Sequence, residues 1–281
     1  MPSSPYDATM AIATTESPSS FGDVLRYWRR HRGKSQLAVA SEAGTTPRYL
    51  SFLETGRARP SREMVDRLAG ALEVPLRERN GMFLAAGFAP AYASAPLESP
   101  RLEAVSAAVQ AILDQHEPFP AVLLDRAWNV RRANEGAADL FARLAAPDPV
   151  PSPANVLRLM LAPGRVRDAV RNWDQVAAAL FDRVHREAVA GVLDREATEL
   201  LDELRRDPAV AGALERRAAD RPAGPVIDVR FELDLGTLRF FSVVSTIGTP
   251  IDVTAQELRV EAFFPSDPET RTRWRSRAPA P

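Results

Sequence analysis

The stretch Ser35–Gly56, SQLAVASEAGTTPRYLSFLETG, constrains this chain more than any other part of it. Two short apolar-periodic segments, Gln36–Ala43 and Pro47–Thr55, are separated only by Gly44, Thr45 and Thr46. Ser35 and Thr46 stand where helix N-caps are needed, Pro47 takes the first helical position, and Gly44 and Gly56 close the two segments. Helices joined by so short a turn must cross in contact. Ala40 is small enough for a close crossing, Leu37 and Ala40 are expected to face inward, and Leu50 and Leu53 pin the second helix to a core. Three further helices surround the pair. Ser20 caps Phe21–His31, which places Phe21, Val24, Leu25 and Trp28 on one face. Ser61 starts a fourth helix bearing Val65, Leu68, Ala69 and Leu72, and Leu76–Ala86 forms the fifth. Residues 20–90 are therefore read as an all-α domain.

Two helices with this spacing have the form of a helix-turn-helix, whose second helix lies in the DNA major groove and reaches base edges with its N-terminal residues. Its outward positions are Thr46, Pro47, Arg48, Tyr49, Ser51 and Phe52. Arg48 suits a bidentate contact with guanine. Tyr49, Ser51 and Phe52 suit sugar, phosphate or a thymine methyl. Gln36, at the start of the preceding helix, and Arg57 and Arg59, just past Gly56, are placed to meet phosphates. Against this, Arg57 and Arg59 also read as solvated loop charges, Tyr27 and Trp28 as packing aromatics, and Glu54 as the structural partner of a nearby arginine. Charge favours a polyanion. Residues 21–90 hold twelve Lys or Arg against seven Asp or Glu, although the whole chain carries a net charge of −1.

Residues 1–19 are Ser/Thr/Pro-rich without periodicity and are expected to be disordered. The Pro-rich run Ala89–Pro100 marks a linker, set at residues 91–100. A second domain, 101–268, starts with the helix Leu102–His116. The strands Ala121–Asp125 and Trp128–Ala133 follow, and Asn134 caps the next helix. A helical stretch Val166–Leu204 precedes the strands Val226–Leu233 and Leu238–Thr246, with Ile251–Val253 and Leu258–Phe264 finishing the sheet. This is an α+β, PAS-like antiparallel sheet with helices on one side. The residues 269–281 read as a flexible tail.

At Gln36, Ala40, Gly44, Leu50, Leu53, Glu54, Gly56, Pro60, Ser61 and Leu68 the chain resembles the XRE (phage-repressor-like) helix-turn-helix family. Pro47 departs from it, standing where that family often has a polar base-contacting residue. Together with EPFPAVLLDRAWNVRRAN (Glu117–Asn134), NVLRLMLAP (Asn155–Pro163) and FFSVVSTIGTPIDVTAQELRVEAFFP (Phe240–Pro265), the arrangement looks like the MmyB-like transcription regulators. That resemblance implies a bacterial regulator acting on double-stranded DNA, with a C-terminal domain that binds a small apolar ligand, a fatty acid or acyl derivative being the family's proposed class. Composition alone shows only a sheet rich in Phe, Val and Ile.

An acyl chain needs a dry lining. Leu157, Met160, Leu161 and Trp173 qualify by type, as do Leu180, Phe181, Phe240, Val243 and Phe263. A polar head needs donors, for which Asn155, Arg158, Ser242, Thr246 and Thr249 are nominated. Asn155 and Arg158, one helical turn apart, can converge on one anion. They read equally as a helix cap and a local ion pair, Trp128 and Trp173 as core fillers, and His185 as a surface helix residue. The chain is expected to be a homodimer and not an enzyme. It lacks cysteine, has three scattered histidines, and shows no Gly-rich phosphate loop. No cofactor is indicated beyond the acyl-type ligand. With no apolar run of membrane-spanning length and no secretory signal, a cytoplasmic protein without membrane insertion is expected. Two other readings remain open: a DNA-binding regulator whose second domain only dimerises, and a protein-interaction module of antitoxin or anti-sigma type.

Overall fold

The computed structural model describes residues 20–190, 195–217, 226 and 228–277, so the segment 1–19 and the side chain of His185 lie outside the described residues. The chain divides into two compact units, one running to Ser94 with Ile251–Val253 added, the other comprising Ala95–Pro250 and Thr254–Pro281.

The first unit holds α1 (Phe21–His31), α2 (Gln36–Glu42), α3 (Pro47–Glu54), α4 (Arg62–Ala71) and α5 (Leu76–Ala85). Ser20, Ser35, Thr46 and Ser61 each cap a helix by accepting a backbone N–H three residues on, as their sequence positions demand. Leu25, Trp28, Leu50, Leu53, Leu68 and Phe83 meet in one core. Gly44 turns the chain between α2 and α3 at φ +62°, a conformation that costs a side chain strain. Where α1 crosses the end of α3 the backbones nearly touch, and a Cβ on Gly22 would lie 2.6 Å from the Leu53 carbonyl oxygen. Leu37 does not face inward but is 67% exposed. Val39 and Ala40 take the buried side of this seven-residue helix, and a residue two positions from Val39 points the other way. The start of the expected linker is fastened to this unit. Asn80 Oδ1 accepts the N–H groups of Ala91 and Tyr92, and the Tyr92 hydroxyl donates to Asp66 at 2.8 Å.

The second unit opens with a 3-10 turn, Pro100–Leu102, and α6 (Glu103–Gln115). Then come β1 (Ala121–Leu124), β2 (Val130–Ala133), α7 (Glu135–Ala145), α8 (Val156–Leu161), α9 (Arg165–Asp168), α10 (Trp173–Ala190), α11 (Arg195–Arg205) and α12 (Pro208–Arg217). The strands β3 (Val229–Leu233) and β4 (Gly236–Thr246), the short α13 (Val253–Glu257), β5 (Arg259–Pro265) and α14 (Pro268–Arg275) complete it. The sheet is antiparallel with order β2-β1-β5-β4-β3. One face, through Val122, Leu124, Phe231, Leu238, Phe240 and Phe263, builds the larger core with α7, α8, α10, α11 and α12. The other meets α6, where Val109 and Leu113 pack on Ala121, Leu123 and Val260. Helices therefore lie on both faces rather than one.

Two further expectations change. Ile251–Val253 is not a strand: the chain leaves β4, and helix α13 begins at Val253, before β5. Nor do residues 269–281 form a flexible tail throughout. Asp267 caps α14 by accepting the Thr270 N–H at 2.7 Å, and this helix buries Trp274 completely. The indole N–H donates to the Pro118 carbonyl at 2.7 Å and the ring meets Phe240 edge-on. The Arg/Pro-rich composition hid a single aromatic anchor. Trp274→Ala is expected to cost about 3–5 kcal/mol, the usual range for emptying a buried aromatic site. Urea unfolding followed by circular dichroism checks it, and an unchanged midpoint contradicts the anchoring role.

Candidate DNA-binding surface

Helix α3 presents its first turn outward. Thr46, Pro47 and Arg48 are exposed, Tyr49, Ser51 and Phe52 are half-buried, and Leu50 and Leu53 are sunk in the core. The Thr46 hydroxyl oxygen accepts the Tyr49 N–H at 3.2 Å, so the leading end of the rod is fixed. The Arg48 guanidinium lies 5.4 Å from the Phe52 ring centroid, one turn on, so that the ring supports the cation at the exposed face of α3. The Tyr49 ring packs against the core and its hydroxyl donates to the Arg59 carbonyl at 3.2 Å. This ties α3 to the loop carrying Arg57 and Arg59, both exposed. Thr46, Pro47, Arg48, Arg57 and Arg59 thus bracket α3 at its two ends.

Behind that surface lies a buried carboxylate. Glu54, at the end of α3, is 4% exposed. Arg29 of α1 donates to it through Nε at 2.6 Å and through Nη2 at 3.0 Å, and Gln36 of α2 donates through Nε2 at 3.0 Å. Arg26 adds its charge at 3.8 Å and donates to the Glu54 carbonyl oxygen. Burial alone pushes the Glu54 carboxyl up, but the hydrogen bonds from Arg29 and Gln36 and the charges of Arg29 and Arg26 outweigh it and hold the group below its ordinary range. Gln36, nominated for phosphate, is half-buried and engaged by Glu54 through this bond.

In the second unit the apolar nominees come together. Leu157, Met160, Leu161, Phe181, Phe240 and Phe263 belong to the larger core, with Trp173 and Leu180 packed against it. The polar nominees do not. Asn155 caps α8 by accepting the Arg158 N–H at 3.1 Å, and its own amide donates to Ala127 and Asn129. Arg158 is exposed and paired in two-pronged fashion with Glu203, both contacts at 2.8 Å. Asn155 and Arg158 therefore do not converge on a common point. Val243, Thr246 and Thr249 are exposed, and Ser242 is only half-buried. The reason is register. β4 pairs with β3 only as far as Phe240, so its later residues run past the end of β3, and Val243 alternates onto the face opposite Phe240.

The sequence reading missed a polar cluster inside this core. The ring centroid of Trp128, 1% exposed, lies 4.7 Å from the Arg183 guanidinium and 4.4 Å from that of Arg259. Arg183 also donates to the buried Glu261 at 2.8 Å, and Arg259 donates to the Asp125 and Arg126 carbonyls. The signal was in LRVEAFF: residues 259, 261 and 263 share one face of a strand, so two charges there had to enter the core beside Phe263.

Comparison with known proteins agrees with this geometry. Residues 25–79 match a helix-turn-helix family, and residues 105–276 match the MmyB-like transcription regulator ligand binding domain. The chain belongs to the MmyB-like transcription regulators. Over 55 residues it is also 40% identical to the transcriptional regulator ClgR of Mycobacterium tuberculosis, in both strains CDC 1551 and H37Rv. That match covers 20% of this chain, which spans about half the length of those relatives (49%). This MmyB-like chain thus joins a helix-turn-helix unit to the fold of an MmyB-like ligand binding domain. Among its described residues no helix is long and apolar enough to cross a membrane, and no group of three or more His, Asp or Glu is arranged to hold a metal.

In this MmyB-like regulator, Glu54→Gln removes the charge that compensates Arg29 and is expected to destabilise the helix-turn-helix unit by about 3 kcal/mol, in the range for breaking a buried pair. The sign with pH follows from the lowered carboxyl. The unfolded chain binds the proton more readily, so the stabilisation is complete above the ordinary carboxyl range and is lost as pH falls through the folded-state value. Urea midpoints of wild type and Glu54→Gln measured from pH 7 down to pH 3 should therefore converge; parallel curves would exclude Glu54 as the source.

Proposed function

We propose that this regulator reads its operator as a homodimer through the leading turn of α3, with Arg48 as the base-contacting residue and Arg57 and Arg59 on phosphates. The observation that carries this reading is the exposed, capped N-terminus of α3, set between basic residues and held from behind by Glu54. A two-fold pair of such units puts recognition helices about 34 Å apart, matching half-sites one DNA turn apart. Arg48→Ala is expected to weaken operator binding by about 1–3 kcal/mol and leave random DNA unaffected, whereas Arg57→Ala and Arg59→Ala reduce the salt dependence on both. Competition mobility shifts over a salt series measure the two effects; equal loss for Arg48→Ala on both DNAs removes it from base reading.

The second unit is proposed to respond to a small apolar ligand of fatty-acid or acyl type, held among the larger core's side chains. Two observations support it: all the apolar nominees but Val243 share one core, and the cations of Arg183 and Arg259 lie against Trp128 of that core, where an acidic head meets charge-assisted donors. Ligand changes DNA affinity only in so far as it binds the DNA-competent and incompetent states unequally. A domain that serves dimerisation alone is favoured by a different observation, namely that Asn155 and Arg158 are engaged in structural bonds. Native mass spectrometry of the purified chain separates the two. An added mass in the fatty-acyl range, displaced by an excess of free fatty acid, is expected for sensing; a bare chain that also fails to take up added acid leaves dimerisation.

A further inference from the structure

Helix α3 carries a single cation, Arg48. Elsewhere in the first unit arginines are taken up by the fold: Arg26 and Arg29 by Glu54, Arg32 by the Leu72 and Glu73 carbonyls, Arg79 by the Val74 carbonyl. Among the described residues no carboxylate pairs with Arg48, and its guanidinium rests over the Phe52 ring instead. That ring has no other task in the interior. Phe52 is half-buried, yet it belongs neither to the core of this unit nor to the side chains packed against that core, whereas its neighbours Leu50, Leu53 and Tyr49 do. Its backbone is nevertheless fixed. The Phe52 carbonyl accepts the N–H groups of Arg57 at 2.8 Å and Ala58 at 3.2 Å, which anchors the last turn of α3 to the loop beyond it. An aromatic residue thus stands outside the core on a rigid turn, in contact with the one cation of an outward-facing helix.

We infer that Arg48 and Phe52 form one recognition pair, which takes a guanine together with a thymine on the adjoining base pair. The inference rests on the proposal that α3 contacts bases through Arg48, and it names what that helix recognises. Residues four apart lie side by side on a helix, with about 5–6 Å between their Cβ atoms, and here the guanidinium lies 5.4 Å from the ring centroid. The groups that the two meet in the groove are therefore close neighbours as well, and successive base pairs stand about 3.4 Å apart. Chemistry assigns each side chain its base. A guanidinium offers paired N–H donors that match the N7 and O6 acceptors of guanine, whereas a phenyl ring has neither donor nor acceptor. The apolar group that the major groove presents is the thymine C5-methyl, so the ring takes thymine. Phe52 also acts through Arg48. A cation held against a ring before DNA arrives has less rotamer freedom to lose on binding, and its attraction to the ring face spends no N–H donor that guanine needs. Phe52 is thus both a specificity-determining residue and a positioning residue.

The test uses the full chain and the duplexes it selects from a random pool. Wild type is expected to select guanine with thymine on the next base pair. Deoxyuridine in place of that thymine removes only the methyl group and should weaken wild-type binding about fourfold, the loss expected for one buried methyl-sized group. This arm needs no variant, so it tests the thymine contact whether or not Phe52→Ala folds. Phe52→Ala should bind the thymine and deoxyuridine duplexes alike, about tenfold more weakly than wild type binds the selected site, and should bind random DNA as wild type does. Phe52→Tyr, which keeps the ring, should restore the response to the methyl group. If Arg48→Ala loses the guanine preference, but the selected sites lack that thymine, or deoxyuridine costs wild type nothing or costs Phe52→Ala as much, the recognition pair is overturned while Arg48 remains a base contact. If Arg48→Ala keeps the guanine preference, or wild type selects no sequence, the base-contacting role of Arg48 falls and the pair falls with it.

Discussion

The Glu54 carboxylate holds the first unit in its working shape. It sits at the end of α3, the second helix of the helix-turn-helix, accepts from α1 through Arg29 and from α2 through Gln36, and is almost closed to water. Three helices are thereby fixed relative to one another by one charged group. An unpaired carboxylate at this depth is prohibitive, so α1 and α2 have to arrive in register for α3 to end where it does. Gly22 shows the same constraint from the steric side: α1 lies so near the α3 carbonyls that the charge pair can close only if position 22 has no side chain. The rigidity of the exposed end of α3 comes from this hidden contact rather than from anything on the surface.

How much of this was legible in the sequence depended on the range of the interaction. Caps and turns are local, so Ser20, Ser35, Thr46, Ser61 and Asn134 marked their helices directly, and each accepts the N–H three residues on. Leu37 was misjudged because a seven-residue helix has too few turns for periodicity to identify its buried side. α14 was hidden for a different reason. Its Arg/Pro-rich surroundings look solvated, and only the long-range bond of Trp274 to the Pro118 carbonyl makes it part of the fold. Val243 was nominated by type as apolar lining and Thr246 as a donor for a polar head, yet a strand that outruns its neighbour exposes the excess.

The candidate ligand site divides along the same line. Its greasy residues are recognisable by type and do assemble, because any β-rich core recruits Phe, Leu and Met. Its polar residues were chosen by sequence proximity, and Asn155 and Arg158 turn out to close a cap and a surface ion pair. The charges that enter the core, Arg183, Arg259 and Glu261, come from α10 and β5, some 80 residues apart (|i−j| = 78 for the Arg183–Glu261 contact). No local pattern joins them.

That cluster bears on the reading of the second unit as one that takes an anionic ligand. Two guanidinium groups flanking Trp128, one of them bridging to Glu261, desolvate charge that well-packed apolar residues of similar volume would avoid, often with a gain in stability. Arg259 repays part of that cost locally, since its bonds to the Asp125 and Arg126 carbonyls secure the turn between β1 and β2 and with it the left-handed backbone of Trp128 at φ +68°. Arg183 comes from α10 and joins that helix to β5 through its pair with Glu261, whose strength depends on the low-dielectric space around it. A guest carboxylate arriving there would compete with Glu261 for Arg183 and would alter the tie between α10 and the sheet. A core built of apolar residues alone offers no comparable point at which an anionic ligand acts on the fold.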